Sequence, residues 1–449
     1  MANDNTMYDP EIWAQTSLMY LEGQMRLPNL VHRDFDTAVQ NFGDVVNTRK
    51  PQGFVARRKD KVDTVTVQDA TSTNVAVPLD QLIHTSFMIF DGEEATAFTD
   101  LAQRYIQPAV ASMAQAADEA IIGEIYGFLS ADSVNKLGTD IDDGDVRQCR
   151  EVLNKNKVPD SDRFMVLTPA MEGALLGTSA WTKANEVGDN GSALRDGMIG
   201  KKYGFDIYLD NYMPSIATGN SITTGAVNLS AGYAAGTTSM TVSGFSADLA
   251  KGQWFTVAGD MTPQQVLAAV TTPWTTLTFT PGLRNAVANS AVITVYDQGT
   301  INYSAGYDAG YGKVLTTGTF SVAPKAGQII SFADSLTERY SVLSGPTPTT
   351  TACWLNRPLS TAVAHAAVVN LGPAGEYGFA AHRNAIAFVN RPLPTPKAPG
   401  ALSAVANYNG LSIRVTMAYV PLSHGHVVTL DMLCGVKVLD TSMGVVMFG

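Results

Sequence analysis

Residues 163–177 read RFMVLTPAMEGALLG, and residues 194–214 read LRDGMIGKKYGFDIYLDNYMP. In the first segment an apolar run from Phe164 to Leu167 is closed by Thr168-Pro169. A short apolar run bounded by a turn signal reads as a buried strand. Pro169 suits the first turn of a helix, where its missing N–H would have no partner anyway, so PAMEGALL reads as a short helix. In the second segment Gly197, Gly200 and Gly204 punctuate a turn, FDIYL follows as a strand, and Asn211 to Pro214 form an exit. Strand, helix, turn and strand make the centre of an α+β unit.

Working back towards the N-terminus, Asp140, Asp142, Asp143 and Asp145 precede Val146-Arg-Gln-Cys-Arg-Glu-Val-Leu. Acids suit the positive end of a helix dipole. The run lacks the glycine and closing glutamate that a calcium loop needs. Over residues 98–129, Leu101, Tyr105, Ala109, Met113, Ala117, Ile121, Ile125 and Phe128 recur at a spacing of about four. That stripe predicts one long helix with a buried face, about 45 Å from end to end. Pro108 lies inside it and should kink it or mark its true start.

Before the helix the text turns extended. GDVVNTRKPQGFVARR leads into KVDTVTV at 61–67, a strand of period two, and NVAVPLDQLIHTSFMIF at 74–90 returns. The two predict a long two-stranded arm, which is barely stable alone in water and so needs support from its own body or another copy. Arg49, Lys50, Arg57, Arg58, Lys59 and Lys61 fall on it within 13 residues. They read as a solvated face or as an arm lying on an acidic neighbour; without interleaved aromatic residues a nucleic-acid platform is disfavoured. Nearer the N-terminus, PEIWAQTSLMYLE at 10–22 predicts a short helix opened by Pro10 and ended by Gly23, then a loop anchored by Leu30 and Val31.

Downstream the chain repeats itself. VNLSAGYAAG begins at Val227 and INYSAGYDAG at Ile301, 74 residues on. KGQWF from Lys251 matches AGQII from Ala326, and RNAVANSAVI from Arg284 matches the segment from Leu359. Two copies are too few for a solenoid and read as tandem modules over 223–297 and 298–371. TTSMTV, QWFTV, TLTF and VITVY are short alternating runs separated by turn residues, which predicts a small all-β sandwich or barrel. Trp254, Phe255, Trp274, Phe279 and Trp354 supply core-forming surface that a disordered linker would lack.

The 449 residues carry a formal charge of −11, which argues against a dedicated nucleic-acid binder. No run of 18 apolar residues is present, so no membrane span is expected. MANDNTMYDPEIW has neither the basic nor the apolar stretch of a signal peptide. Cys149, Cys353 and Cys434 are odd in number and far apart, fitting free thiols in a reducing compartment. Enzymatic motifs fail: Gly200-Lys201 is followed by Lys202 and Arg195 stands where a phosphate loop has glycine, and no Gly-x-Ser-x-Gly occurs. His424 and His426 read as a loop pair, with only Asp431 nearby as a further ligand type. No enzyme activity, cofactor or metal is expected.

Taken together, the two opening segments resemble the heart of the major capsid proteins of tailed bacteriophages. The match falls on Gly197, Ile199, Gly200, Gly204, Phe205, Ile207, Tyr208 and Asn211, with Asp210 where that family often has serine. TVQDATSTNVAVPLDQLIHTSFMI with RYIQPAVASMAQAADE resembles its extended loop and spine helix. YGFAAHRNAIAFVNRPLPTP from Tyr377 and the segment from Leu411 resemble its last core strands, and Lys251-Gly-Gln-Trp-Phe-Thr-Val-Ala-Gly is similar to a pattern in the β insertion domain of some short-tailed phages.

The resemblance spans nearly the whole chain and implies an α+β, HK97-like capsid fold. Its parts would be an N-terminal arm (1–48), an extended loop (49–92), a spine helix (93–135), a first part of the P and A domains (136–222), two tandem β insertion modules (223–297 and 298–371) and a return to the core (372–449). It implies a shell subunit partnered by its own copies in pentamers and hexamers. Scaffolding, portal and decoration proteins would be further partners, and double-stranded DNA would be enclosed. The place implied is the virion capsid, after synthesis in the host bacterial cytoplasm. Arg57, Arg58, Lys59 and Lys61 are the candidate assembly contacts. A cellular nanocompartment shell and a β-repeat adhesin are the alternatives; a shell of the former kind is usually shorter and lacks tandem inserts.

Overall fold

The strand Gly425–Val438 organises the body of the protein. In the computed structural model, which describes residues 10–33, 43–50, 56, 58–59, 61, 67, 73–90, 102–178, 181, 199–217, 221–315, 320–332, 335–396 and 401–449, this strand pairs along one side with Gln81–Phe90. Along its other side it pairs first with Leu411–Val420 and then with Ile386–Arg391. Ala401–Tyr408 pairs with Leu411–Val420 and forms the outer edge. All these pairings are antiparallel.

The long helix Gln107–Ile125 and the first helix Pro10–Gln24 cover this sheet. Ala109, Met113, Ala117, Ile121 and Ile125 are buried on the long helix, so the stripe of four is its core face. Trp13 is fully buried, and its ring lies 6.4 Å from that of Phe87, which in turn lies 5.5 Å from that of Tyr105. Where a loop is expected the chain makes a short helix, Leu27–Leu30, with Leu30 half-buried and the following Val31 buried.

Among the described residues the long helix is less regular than the stripe suggests. The described part begins with a widened turn, Ala102–Ile106, and ends in a tight one, Tyr126–Phe128. Between them regular α structure covers 19 residues, about 28 Å. Pro108 stands in its first turn: with no N–H it cannot complete an ordinary i→i−4 ladder, and the wider turn precedes it.

A second sheet has the order Gly444–Phe448, Gly375–His382, Arg163–Leu167, Phe205–Leu209, Lys201–Lys202. Only Arg163–Leu167 and Phe205–Leu209 run parallel. The helix Asp143–Lys155 packs on it through Val146, Cys149 and Leu153. Asp142 and Asp145 close a reciprocal capping box at that helix's start, which uses the run of acids. Thr168 caps the helix Pro169–Leu176 by accepting from the Met171 N–H at 3.2 Å.

Residues 221–296 form a closed six-stranded barrel, in the order Trp254–Val257, Gln264–Val266, Thr276–Thr280, Ser239–Ser243, Ser221–Val227, Val292–Tyr296. Phe255, Phe279, Leu277, Ile293 and Val295 fill it. In 298–371 six strands stand in the same order along the chain. Four of the six ladders recur, pairing Gln298–Thr300 with Val368–Leu371, Ile329–Phe332 with both Val368–Leu371 and Tyr340–Ser341, and Lys313–Leu315 with Ala352–Trp354. Between Tyr340–Ser341 and Ala352–Trp354 the ladder shrinks to a single bridge, Val342 to Leu355. Among the described residues the second copy is therefore a split version of the first.

The repeated words of the sequence are repeated hydrogen bonds. Tyr233 and Val287 exchange both backbone bonds, and so do Tyr307 and Val363. Gly232 and Gly306 adopt φ of 66° and 69°; a β-carbon at either would lie 2.3 or 2.7 Å from the carbonyl oxygen of Val287 or Val363. Only glycine fits. Gln253 and Gln328 are buried at matching turns. Each accepts from the N–H three residues before it (Ala250, Lys325) and donates to a distant carbonyl (Tyr296, Gly372). The next residue in each copy, Trp254 or Ile329, leaves its own module and joins the core around the long helix.

One expectation is corrected. The arm does not run on to Phe90. Val45–Lys50 pairs with Thr73–Pro78, and Gln81–Phe90 belongs to the body sheet. Pro78 has no N–H to continue a ladder, and buried Leu79 ties the turn to Gly43 and Asp44 through two backbone bonds of 2.8 Å. The expected strand at 61–67 lies outside the described residues over 62–66, as do the helix positions 98–101, Gly197 and Arg57.

Candidate functional site: the arm and the anchors of the β modules

The arm leaves the body where the strand Gly425–Val438 passes beneath it. A β-carbon on Gly435 would lie 2.0 Å from the Pro78 carbonyl oxygen, so the arm's base rests directly on the body's backbone. Beyond that base the ladder of Val45–Lys50 with Thr73–Pro78 has two strands. Two strands alone are marginal in water, and among the described residues no third strand joins them. Of the candidate contacts, Arg58, Lys59 and Lys61 are exposed and Arg57 is not among the described residues.

Two further surfaces are open on the body. At one end of the sheet Phe90, Tyr419 and Leu422 are exposed, Leu422 almost completely. At the edge, Leu402 and Tyr408 are exposed on Ala401–Tyr408. A groove of about 900 Å³ separates that strand from the first helix and is lined by Gln15, Leu18, Met19, Val405 and Tyr408.

The modules are tied to the long helix by chemistry that the sequence does not signal. Arg357 Nε lies 2.8 Å from Glu124 Oε1, and its Nη2 lies 2.8 Å from Glu338 Oε2. The Nε–H is not aligned on the Glu124 oxygen, so that contact is an ion pair rather than a directed hydrogen bond. The guanidinium also covers the Tyr340 ring at 4.4 Å. Burial pushes the Glu124 carboxyl up and Arg357 holds it down, with the net direction upward. Glu119 accepts from Ser344 Oγ, and Tyr126 Oη donates to the Gly327 carbonyl. Arg339 donates to the Tyr126 carbonyl at 2.9 Å and stacks over Trp254; burial lowers its pKa to about 10.

On the other side of the helix Asp118 is buried and accepts from the Leu27 N–H at 3.1 Å. Burial, then the neighbouring charge of Asp210, push its carboxyl well above the ordinary range. The three cysteines are buried, and burial pushes the thiols of Cys149 and Cys353 up to about 12. His424 sits in a turn at φ 44°, and the His426 ring lies 5.0 Å from that of Tyr419. Among the described residues no group of three or more side chains could hold a metal ion, and no helix is long and apolar enough to cross a membrane.

No protein-family model matches the chain, and no curated protein does. Several solved phage structures resemble it. One, titled Mycobacterium phage Che8, is 13% identical with a TM-score of 0.41, covering 94% of this chain and 91% of that one. The capsid structure of the cyanophage P-SCSP1u is 11% identical with a TM-score of 0.40, covering 92% and 84%. The asymmetric unit of the bacteriophage PhiM1 mature capsid is 8% identical with a TM-score of 0.38, covering 91% and 83%.

Proposed function

We propose that this chain is the major capsid protein of a tailed bacteriophage, with an HK97-like fold, which assembles into an icosahedral shell around double-stranded DNA. The observation that carries the proposal is the arm: a ladder anchored at its base, which no third strand joins among the described residues, with exposed cations beyond it. Such an element gains its stability from a neighbour that pairs with it. The ordered series of capsid-like segments along the sequence supports the same reading.

In this reading Gln107–Ile125 is the spine helix, the sheet around Gly425–Val438 is the peripheral domain, and the sheet around Arg163–Leu167 is the axial domain. The two β modules are insertions that brace contacts between capsomers. Scaffolding, portal and decoration proteins are the partners to seek, and synthesis would take place in the host bacterial cytoplasm. The acidic chain repels packaged DNA and lets it slide.

Electron microscopy with sedimentation of the purified full chain tests the proposal, alone and with candidate scaffolding proteins. Hollow shells, tubes or sheets of regular capsomers are expected. Reversing Arg58, Lys59 and Lys61 to glutamate should abolish them while the thermal midpoint of the subunit stays put, since exposed substitutions move stability by only about 0.5 kcal/mol. A discrete monomer under every condition, with and without scaffold, sinks the proposal.

A further inference from the structure

We propose that Tyr303 and Tyr311, backed by Tyr307, form a platform in the second β module that binds the pyranose rings of a neutral oligosaccharide. Tyr303 stacks on Tyr307 with centroids 5.1 Å apart and planes 30° apart, and Tyr311 meets the same ring at 5.4 Å and 62°. Tyr307 is buried, whereas Tyr303 and Tyr311 are 40% and 46% exposed. One buried ring thus holds two solvent-facing rings in fixed positions, so little side-chain entropy remains to be lost when a ligand arrives.

The chemistry around the rings selects the ligand. The face of an aromatic ring is negative and attracts the polarised C–H groups on the apolar face of a sugar. Exposed Asn302, Ser304, Asp308 and His365 flank the stack and offer donors and acceptors for hydroxyl groups. His365 is fixed there by its Nδ1, 3.1 Å from the Tyr303 carbonyl oxygen. Ala305, Ala309 and Gly310, which lie between the tyrosines in the chain, are small. A protein partner would favour a broader apolar surround. A polyanion such as single-stranded nucleic acid would need a basic groove, which a single acid, Asp308, and a chain of charge −11 do not supply.

The first module provides the internal control. Its residues at the matching places are Leu229, Tyr233 and Thr237. The central tyrosine, half-buried here, and its backbone bonds to Val287 are kept, and both exposed rings are absent. The exposed tyrosines are therefore not required by the architecture that the copies share.

Saturation-transfer NMR on the full chain tests the platform with cellotetraose, maltotetraose and tetra-N-acetylchitotetraose as probes. On irradiating the aromatic protons, at least one probe should gain signal on its ring C–H protons. In Y303L/Y311T, which installs the residues of the first module, affinity should fall about tenfold or more, the equivalent of about 1.4 kcal/mol, with circular dichroism unchanged. Should that variant misfold, the unaltered protein still decides: the bound probe should shield Tyr303 and Tyr311 from O-acetylation by N-acetylimidazole, mapped by mass spectrometry. Absence of transfer from all three probes at ~10 mM overturns the proposal. So does unchanged binding by the folded variant, or unshielded acetylation. A variant that loses only self-association would assign the patch to another copy of the chain and overturn it as well.

Discussion

The backbone of the long helix at Gly123 touches the side chain of Asn356 in the second β module: a β-carbon on Gly123 would stand 1.9 Å from Asn356 Nδ2. Asn356 cannot simply swing aside, because its Oδ1 accepts from the Ser341 N–H at 2.9 Å in a buried setting. Gly123→Ala should lower stability by about 1–3 kcal/mol, the usual result of overpacking, although alanine is the better helix former. Thermal unfolding checks this, and adding Asn356→Ala should recover part of the loss.

Arg357 links the helix to the same module by charge. Removing it leaves Glu124 buried without its ion-pair partner. Arg357→Met should therefore cost about 3–5 kcal/mol, while Arg357→Met combined with Glu124→Leu should cost much less, because the orphaned charge is gone. Urea unfolding of the two variants checks the order; equal losses would show that the pair is not coupled.

Gln253 and Gln328 do the same work in different copies. Replacing either with leucine strands a part-buried N–H and a buried carbonyl, at about 1–3 kcal/mol each. The double variant should show the sum of the two losses, since sites that share no partner act independently. Calorimetry of both single variants and the double variant measures it.

Asp118 gives a pH signature. Burial and the charge of Asp210 raise its folded-state pKa, while the backbone bonds from Leu27 and Arg26 and the charge of Arg26 oppose the rise. With the folded value above the unfolded one, the native state holds a proton more tightly. This group then lowers stability at neutral pH and relents as pH falls towards the unfolded value. Asp118→Asn should raise the urea midpoint at pH 7 and gain progressively less as pH drops through the weakly acidic range. A gain that is flat with pH would place the cause elsewhere.

The features legible in the sequence were those written in local periods. The stripe from Ala109 to Ile125 is buried because its spacing matches the helix. The repeats were visible because Gly232 and Gly306 must reach positive φ. What escaped was set by partners far along the chain. Gln81–Phe90 alternates like an arm strand, and only its pairing with residues 425–434 makes it a core strand. The link from Glu124 to Arg357 joins positions that no motif connects, and the outward turn of Trp254 into the body looked like ordinary module core. The cations of the arm, Arg57 to Lys61, can be read for charge but not for partner, because the surface that would answer them lies on another molecule in the proposed assembly.

The strands that open and close each β module lie side by side: Ser221–Val227 pairs with Val292–Tyr296, and Gln298–Thr300 with Val368–Leu371. Asp297 alone joins the first pair to the second. A module with neighbouring ends can be copied, lost or exchanged as a cassette without stretching the chain on either side. Genetic tandem duplication needs only one new junction, although a replacement must also supply the contacts that Trp254, Ile329 and Arg357 make with the body. The same property makes 221–371 the natural place to graft a foreign domain onto this subunit.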